Sequence, residues 1–276
     1  MHERIDLEAH SYALLTGHRA KKAAVIFVHG FWGCPEKTWV EFQTLIDSVQ
    51  ETMPWWTKYD AFFYAYKSQG QIGPGSASLL EFVANVYPRT KWRELGADAG
   101  IPSREYSNLI LVGHSEGGVL IRKAILRQAQ LHTSRKPALV AKRIREDGVL
   151  GAYVRLFAPA YWGALLSGYK GLLLRTPIIG DLVQPLLQTS AAYKQLQATS
   201  PLLNDLRNRT VELATQYPKV RGFRALNLFG GDDDIVSSDS LSTDPPAQYE
   251  RGHSHRSICK PTRRYLRPLT FVRHDD

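Results

Sequence analysis

Five consecutive residues, Gly113-His114-Ser115-Glu116-Gly117, carry the strongest chemical signal in the chain. The apolar run NLILV precedes them, and Val119, Leu120, Ala124 and Ile125 recur at helical spacing after them, so the serine falls on a strand-to-helix turn. A turn that sharp needs small residues two before and two after the serine. Gly113 and Gly117 supply them, and Gly118 relaxes the turn further. The turn projects the Ser115 hydroxyl above a sheet edge, and the first N–H groups of the helix stand where negative charge would develop. A hydroxyl so placed can attack an acyl carbon, provided that a base and an orienting acid follow.

For a serine on such a turn the chain order is serine, acid, histidine. The apolar run FRALNLFG, 223–230, leads into Asp232, Asp233 and Asp234, a carboxylate cluster at a strand end. Asp234 is the expected acid, because its D-x-V spacing to Val236 lets the apolar residue pack while the carboxylate turns to the site. Asp232 and Asp233 read as turn-forming residues and Asp239 as the cap of a following helix. His253, His255 and His274 all satisfy the order. His255 is the expected base, since it stands before Arg-Ser-Ile-Cys-Lys-Pro, whose apolar residues can begin an anchoring helix; His253 reads as a loop residue and His274 as a solvated tail. The oxyanion would be met by the backbone N–H groups of Glu116 and of Phe31, in the loop His29-Gly30-Phe31-Trp32-Gly33. His29 reads as an anchor of that loop. The Glu116 side chain either bars anionic substrates or faces solvent.

The elements that must position these residues follow from hydrophobic patterning. Continuous β-branched and aromatic runs predict strands at 23–30, 59–66, 108–115, 152–159 and 223–230. Helical spacing predicts helices at about 37–49, about 77–86, after Ser115, and in a more polar segment ending near Tyr217. Strands alternating with helices specify the α/β class, a mostly parallel, doubly wound sheet. The stretch 160–221 is longer than one crossover helix requires and reads as an inserted helical cap, with Leu172, Leu173, Leu174, Ile178 and Ile179 supplying apolar surface. The basic segment 135–147 reads as a partly helical surface excursion, and the whole chain, 1–276, as a single domain.

Composition narrows the class of partner. Of 276 residues, 43% are hydrophobic and 22% charged, values of an ordinary globular domain, which excludes a disordered or fibrous chain. The net charge of +9 is spread in small groups with no recognisable nucleic-acid module, so no nucleic acid is expected and a peripheral contact with an anionic surface is the alternative use of the charge. Two cysteines, Cys34 and Cys259, have no metal or disulfide spacing, so free thiols and no metal are expected. The N-terminus lacks the apolar core of a signal peptide, and no run approaches the ~18 residues of a membrane span, so a cytoplasmic protein is expected.

Taken together, VIFVHGFWG, LILVGHSEGG, DDDIV and HRSICKP resemble the α/β-hydrolase superfamily over about 23–261. More narrowly they resemble its lipase-like branch of serine-active-site-containing and GPI inositol-deacylase-like proteins. The resemblance implies Ser115 as nucleophile, His255 as base, Asp234 as acid, the Phe31 and Glu116 N–H groups as the oxyanion hole, no cofactor, and a small-molecule or lipid acyl ester as substrate. Thioesterase or amidase chemistry would use the same residues, and a non-catalytic interaction domain could keep the same fold. Glu116 departs from the more usual methionine of that motif.

Overall fold

The structure, a computed structural model, describes residues 2–17, 23–98, 100–133, 148–163 and 190–274. Its strands are β1 (His2–Asp6), β2 (Tyr12–Thr16), β3 (Ala23–Val28), β4 (Tyr59–Tyr64), β5 (Asn108–His114), β6 (Tyr153–Phe157), β7 (Ala225–Gly230) and β8 (Gln248–Glu250). They form one sheet in the order β1-β2-β4-β3-β5-β6-β7-β8. The pairs from β4 to β8 are parallel, and β1 and β2 add an antiparallel edge. This is the α/β-hydrolase fold.

All six residues of β3, AAVIFV, are buried, as a central strand covered on both faces must be. Each large apolar side chain taken from water there contributes about 1.5–3 kcal/mol. Hydrophobic patterning does not predict β1 and β2. Tyr12–Thr16 is too short a run for its period to declare a strand, and tertiary pairing decides it: Tyr12 lies opposite Phe63 and the two rings stack at 4.6 Å.

The helix expected at 37–49 is two pieces, α1 (Pro35–Thr38) and α2 (Val40–Ile46). They break at Trp39, whose backbone (φ −117°, ψ 9°) leaves the helical region while its ring is wholly buried beside Phe27, Phe42 and Phe157. Helix α3 (Ile72–Val86) starts a turn earlier than its apolar spacing suggests. Pro74 falls in its first turn, where a missing N–H costs nothing, and the Ile72 N–H is capped by the Gln195 side chain. Helix α4 (Glu116–Thr133) follows β5 directly. Of the expected cap, 164–189 lies outside the described residues, as does 134–147. The rest of it holds α5 (Ala191–Gln195) and α6 (Pro201–Gln216), and α6 meets α4 through the Lys123–Asp205 ion pair at 3.2 Å. A short α7 (Arg267–Phe271) closes the chain.

Two features of this scaffold build the site. Connections leave β3 toward β4 on one side and β5 on the other, so a crevice opens at the carboxyl ends of β3 and β5, where ligands of such sheets bind. A buried pair then ties α4 to the loop after β7. Arg122 and Asp244, both side chains fully buried, make two bonds of 2.9 Å, and Arg122 also donates to the Phe223 carbonyl.

Candidate active site

Ser115 occupies the single-residue turn between β5 and α4 at φ +54°, a conformation that costs a non-glycine residue of the order of 1–3 kcal/mol. The surroundings impose it. A Cβ on Gly117 would stand 2.3 Å from the Val28 carbonyl and 2.5 Å from that of His29, and one on Gly113 would stand 2.8 Å from the Gly118 nitrogen. Only hydrogen fits at either place. The Ser115 N–H donates to Phe157 O at 3.0 Å, and the Ser115 carbonyl accepts from Gly118 and Ala160. Glu116 is the first residue of α4, so its N–H is among the four without an acceptor inside the helix.

The loop after β3 closes against this turn. A Cβ on Gly30 would lie 2.9 Å from that of Ser115. Gly33 N–H donates to Gly30 O, folding Phe31 and Trp32 into a tight turn in which Trp32 has φ +54°. His29 anchors the loop: it is buried, stacks on Tyr66 at 4.4 Å, and its Nδ1 lies 3.0 Å from Gly30 O. Burial drives its pKa down to about 4, so it stays neutral.

Asp233, not Asp234, meets His255. The His255 Nδ1 lies 2.9 Å from Asp233 Oδ2, and because a carboxylate only accepts, that nitrogen carries the proton and leaves Nε2 with a lone pair. The other oxygen, Oδ1, accepts the N–H groups of Ile235 (2.9 Å) and Val236 (3.2 Å). The turn chemistry assigned to Asp233 in the sequence is therefore real, and it is also what aims the second oxygen inward while Asp234 faces solvent. Burial would raise the Asp233 pKa, but His255 and these two N–H groups outweigh it and hold the carboxylate below its ordinary value. Sheet ends bring the pair together. Gly231 N–H donates to Glu250 O and Asp232 N–H to His253 O, stitching the loop after β7 to the loop after β8.

The other candidates fall elsewhere. His253 stacks on Tyr265 at 3.7 Å. His274 is no solvated tail: it is 2% exposed and sandwiched between Tyr59 and Tyr153. Asp239 is exposed and caps no helix, its carboxylate accepting from the Ser237 hydroxyl. Residues 255–259 form turns instead of the expected helix, with Ile258 N–H bonded to Ser254 O.

Two residues of the serine motif have parts that the sequence did not reveal. His114 lies beneath Ser115, and its Nε2 donates to the His255 carbonyl at 2.8 Å, pinning the loop that holds the imidazole. Burial drives its pKa to about 3, so this ring stays uncharged. The Glu116 side chain does not face water: it is buried, and its Oε2 has no hydrogen-bond partner among the described residues. Burial pushes its carboxyl well above the carboxylate range against a weaker pull from the Tyr66 hydroxyl, whose own proton points to His29 O at 2.9 Å. Burial thus favours the protonated, uncharged form of this carboxyl.

Ser115 and His255 both line a cavity of about 340 Å³, which Phe31, Trp32 and Ile235 wall on its apolar side. Among the described residues no group of three or more His, Cys, Asp or Glu side chains could hold a metal ion, and no helix is long and apolar enough to cross a membrane.

Comparison with known proteins agrees with the class that the sheet and the strained serine turn define, an α/β-hydrolase fold. The mature form of the Bacillus licheniformis lipase BlEst2 superposes with a TM-score of 0.57 at 15% identity, over 96% of this chain and 98% of that one. Phospholipase PlaB from Legionella pneumophila gives 0.58 at 14% identity over 92% of this chain and 59% of that one, and Est1E from Butyrivibrio proteoclasticus 0.51 at 13% over 98% and 96%. In sequence, the chain is a distant homologue of mouse protein SERAC1, 24% identical over 287 residues. That match takes in 91% of this chain and 38% of SERAC1, so the chain spans well under half the length of that relative. No protein-family model matches the chain.

Proposed function

We propose that the protein is a serine hydrolase of carboxylic esters, with Ser115 as nucleophile, His255 as base and Asp233 as the orienting acid. The observation that carries this reading is a serine on a strained, glycine-packed turn sharing one cavity with a histidine whose Nδ1 is bound to a buried carboxylate. Structural neighbours named lipase, phospholipase and esterase support it.

In the proposed reaction the His255 Nε2 takes the Ser115 proton as the oxygen attacks the ester carbonyl. Asp233 keeps Nδ1 protonated and stabilises the imidazolium that forms. The Phe31 and Glu116 N–H groups meet the oxyanion. The imidazolium then protonates the departing alcohol, and a water deprotonated by His255 cleaves the acyl-enzyme to release the acid. No step calls on a cofactor. The two free thiols, Cys34 and Cys259, suit a reducing compartment such as the cytoplasm.

Ser115→Ala should abolish both turnover of p-nitrophenyl butyrate and labelling by a fluorophosphonate probe. Turnover that survives this substitution would reject the assignment, and an unlabelled wild-type serine would instead mark the fold as a scaffold without catalysis.

A further inference from the structure

The cavity at Ser115 has an uneven charge. Three cationic side chains line it, Lys37 from α1 and Arg256 and Lys260 from the loop after β8, and no carboxylate among the described residues does so. The elements that carry them are fastened together, since Lys260 Nζ donates to the Lys37 carbonyl at 3.1 Å. Among the described residues little neutralises them. Lys260 reaches the Glu41 carboxylate only at 3.9 Å, with both groups about a third exposed, a separation and exposure at which ion pairs are weak. Lys37 and Arg256 are exposed and make no ion pair with a described residue.

The one carboxyl adjacent to the nucleophile, on Glu116, is buried away from the cavity wall. Like charges held around one opening repel one another, and a cavity edged by one sign draws in ligands of the other sign. The same cavity is lined by Phe31, Trp32 and Ile235, apolar surface that suits an acyl chain.

We infer that this cavity selects esters bearing a negatively charged group, a phosphate or a carboxylate, and that Lys37, Arg256 and Lys260 determine this specificity. The inference deepens the serine-hydrolase reading and rests on it for its catalytic readout. The anion would come either from a soluble phosphorylated ester or from a lipid headgroup, and both present the same group to the same three cations.

The test compares butyryl glycerol with butyryl glycerol 3-phosphate, a pair differing only in charge. Wild type should favour the phosphate ester in kcat/KM by about tenfold, and each single change, Lys37→Ala, Arg256→Ala or Lys260→Ala, should cut that preference by up to about fivefold, chiefly through KM. Raising salt from about 0.05 M to about 0.5 M should erode the preference in wild type and much less in Lys37→Ala/Arg256→Ala. Faster release of fatty acid from vesicles of anionic phospholipid than hydrolysis of butyryl glycerol 3-phosphate would assign the anion to a lipid headgroup, and the reverse to a soluble ester.

A preference ratio near one in wild type, or one that the substitutions leave in place, overturns the inference while leaving the triad standing. Absence of hydrolysis of both esters and of p-nitrophenyl butyrate rejects the triad instead. In that case calorimetric binding of glycerol 3-phosphate, present in wild type and lost in Lys37→Ala/Arg256→Ala, still decides the anion site, and equal binding by the two proteins removes it. Should the double variant fail to fold, the charge-conserving Arg256→Lys against Arg256→Gln makes the same comparison.

Discussion

The Ser115 turn and the Asp233–His255 pair follow the carboxyl ends of strands of one sheet, β5 for the first and β7 and β8 for the second, yet one is held by the absence of side chains and the other by backbone donors. At the serine, hydrogens on Gly113 and Gly117 let α4 press against β3 and β5. At the acid, Ile235 and Val236 N–H groups orient a carboxylate within a loop otherwise free to turn any of three aspartates inward. Contact density therefore fixes Ser115, and turn chemistry fixes Asp233. The two should fail differently when perturbed: loss of packing costs folding, whereas loss of the carboxylate costs reaction rate.

The largest effect expected is on rate. Asp233→Asn keeps the size of the side chain but offers the imidazole an amide in place of a carboxylate, and kcat/KM on p-nitrophenyl butyrate should fall by about 10⁴ with little change in stability. Asp234→Asn, at an exposed position, should leave kcat/KM within about twofold. A large loss in Asp234→Asn with none in Asp233→Asn would reverse the assignment and restore the one that D-x-V spacing suggests.

The contrast sharpens at the serine turn. Gly117→Ala forces a methyl to within 2.3–2.5 Å of two carbonyl oxygens of β3 and its loop, so the turn must open. A loss of about 3 kcal/mol in urea unfolding is expected, with kcat/KM lowered about a hundredfold in whatever folds. Gly73, in α3, has nothing within 4 Å of its would-be Cβ, and Gly73→Ala should instead stabilise by about 0.5–1 kcal/mol. Equal outcomes at the two glycines would show that the packing at the turn is loose.

These opposite constructions also explain what could be read in the chain. Five parallel strands and the serine turn were legible because a doubly buried strand is a continuous apolar run and the turn demands glycine at fixed spacing. That His255 would meet a carboxylate of the 232–234 cluster was legible from chain order. Which aspartate it meets was not, because three adjacent aspartates differ only in which one accepts its own loop's N–H groups, a property of backbone dihedrals and not of residue type. The burial of His274 and Glu116 was invisible for another reason: what covers them, the Tyr59–Tyr153 sandwich and the β3 loop with Tyr66, comes from residues far away in the chain. Strand β2 escaped likewise, since pairing with β4 and not its own period makes it a strand.

Glu116 offers the smallest and most diagnostic test, because a polar group here belongs to the packed side of the comparison. Its carboxyl holds a proton in the folded protein well above the value of 4.5 at which an unfolded chain releases it. Between those two values the unfolded state binds fewer protons than the native state, so this group lowers stability as pH rises above about 4.5. Below that value both states are protonated and the penalty disappears. Glu116→Gln keeps a neutral side chain of the same size that cannot ionise in either state. At pH 8 it should therefore raise the unfolding free energy above that of the wild type, by an amount that grows as pH rises above about 4.5. At pH 4 the two proteins should melt together. A stabilisation equal at both pH values would mean that the gain comes from packing, and a destabilisation growing with pH would mean that Glu116 is ionised and paired in the fold.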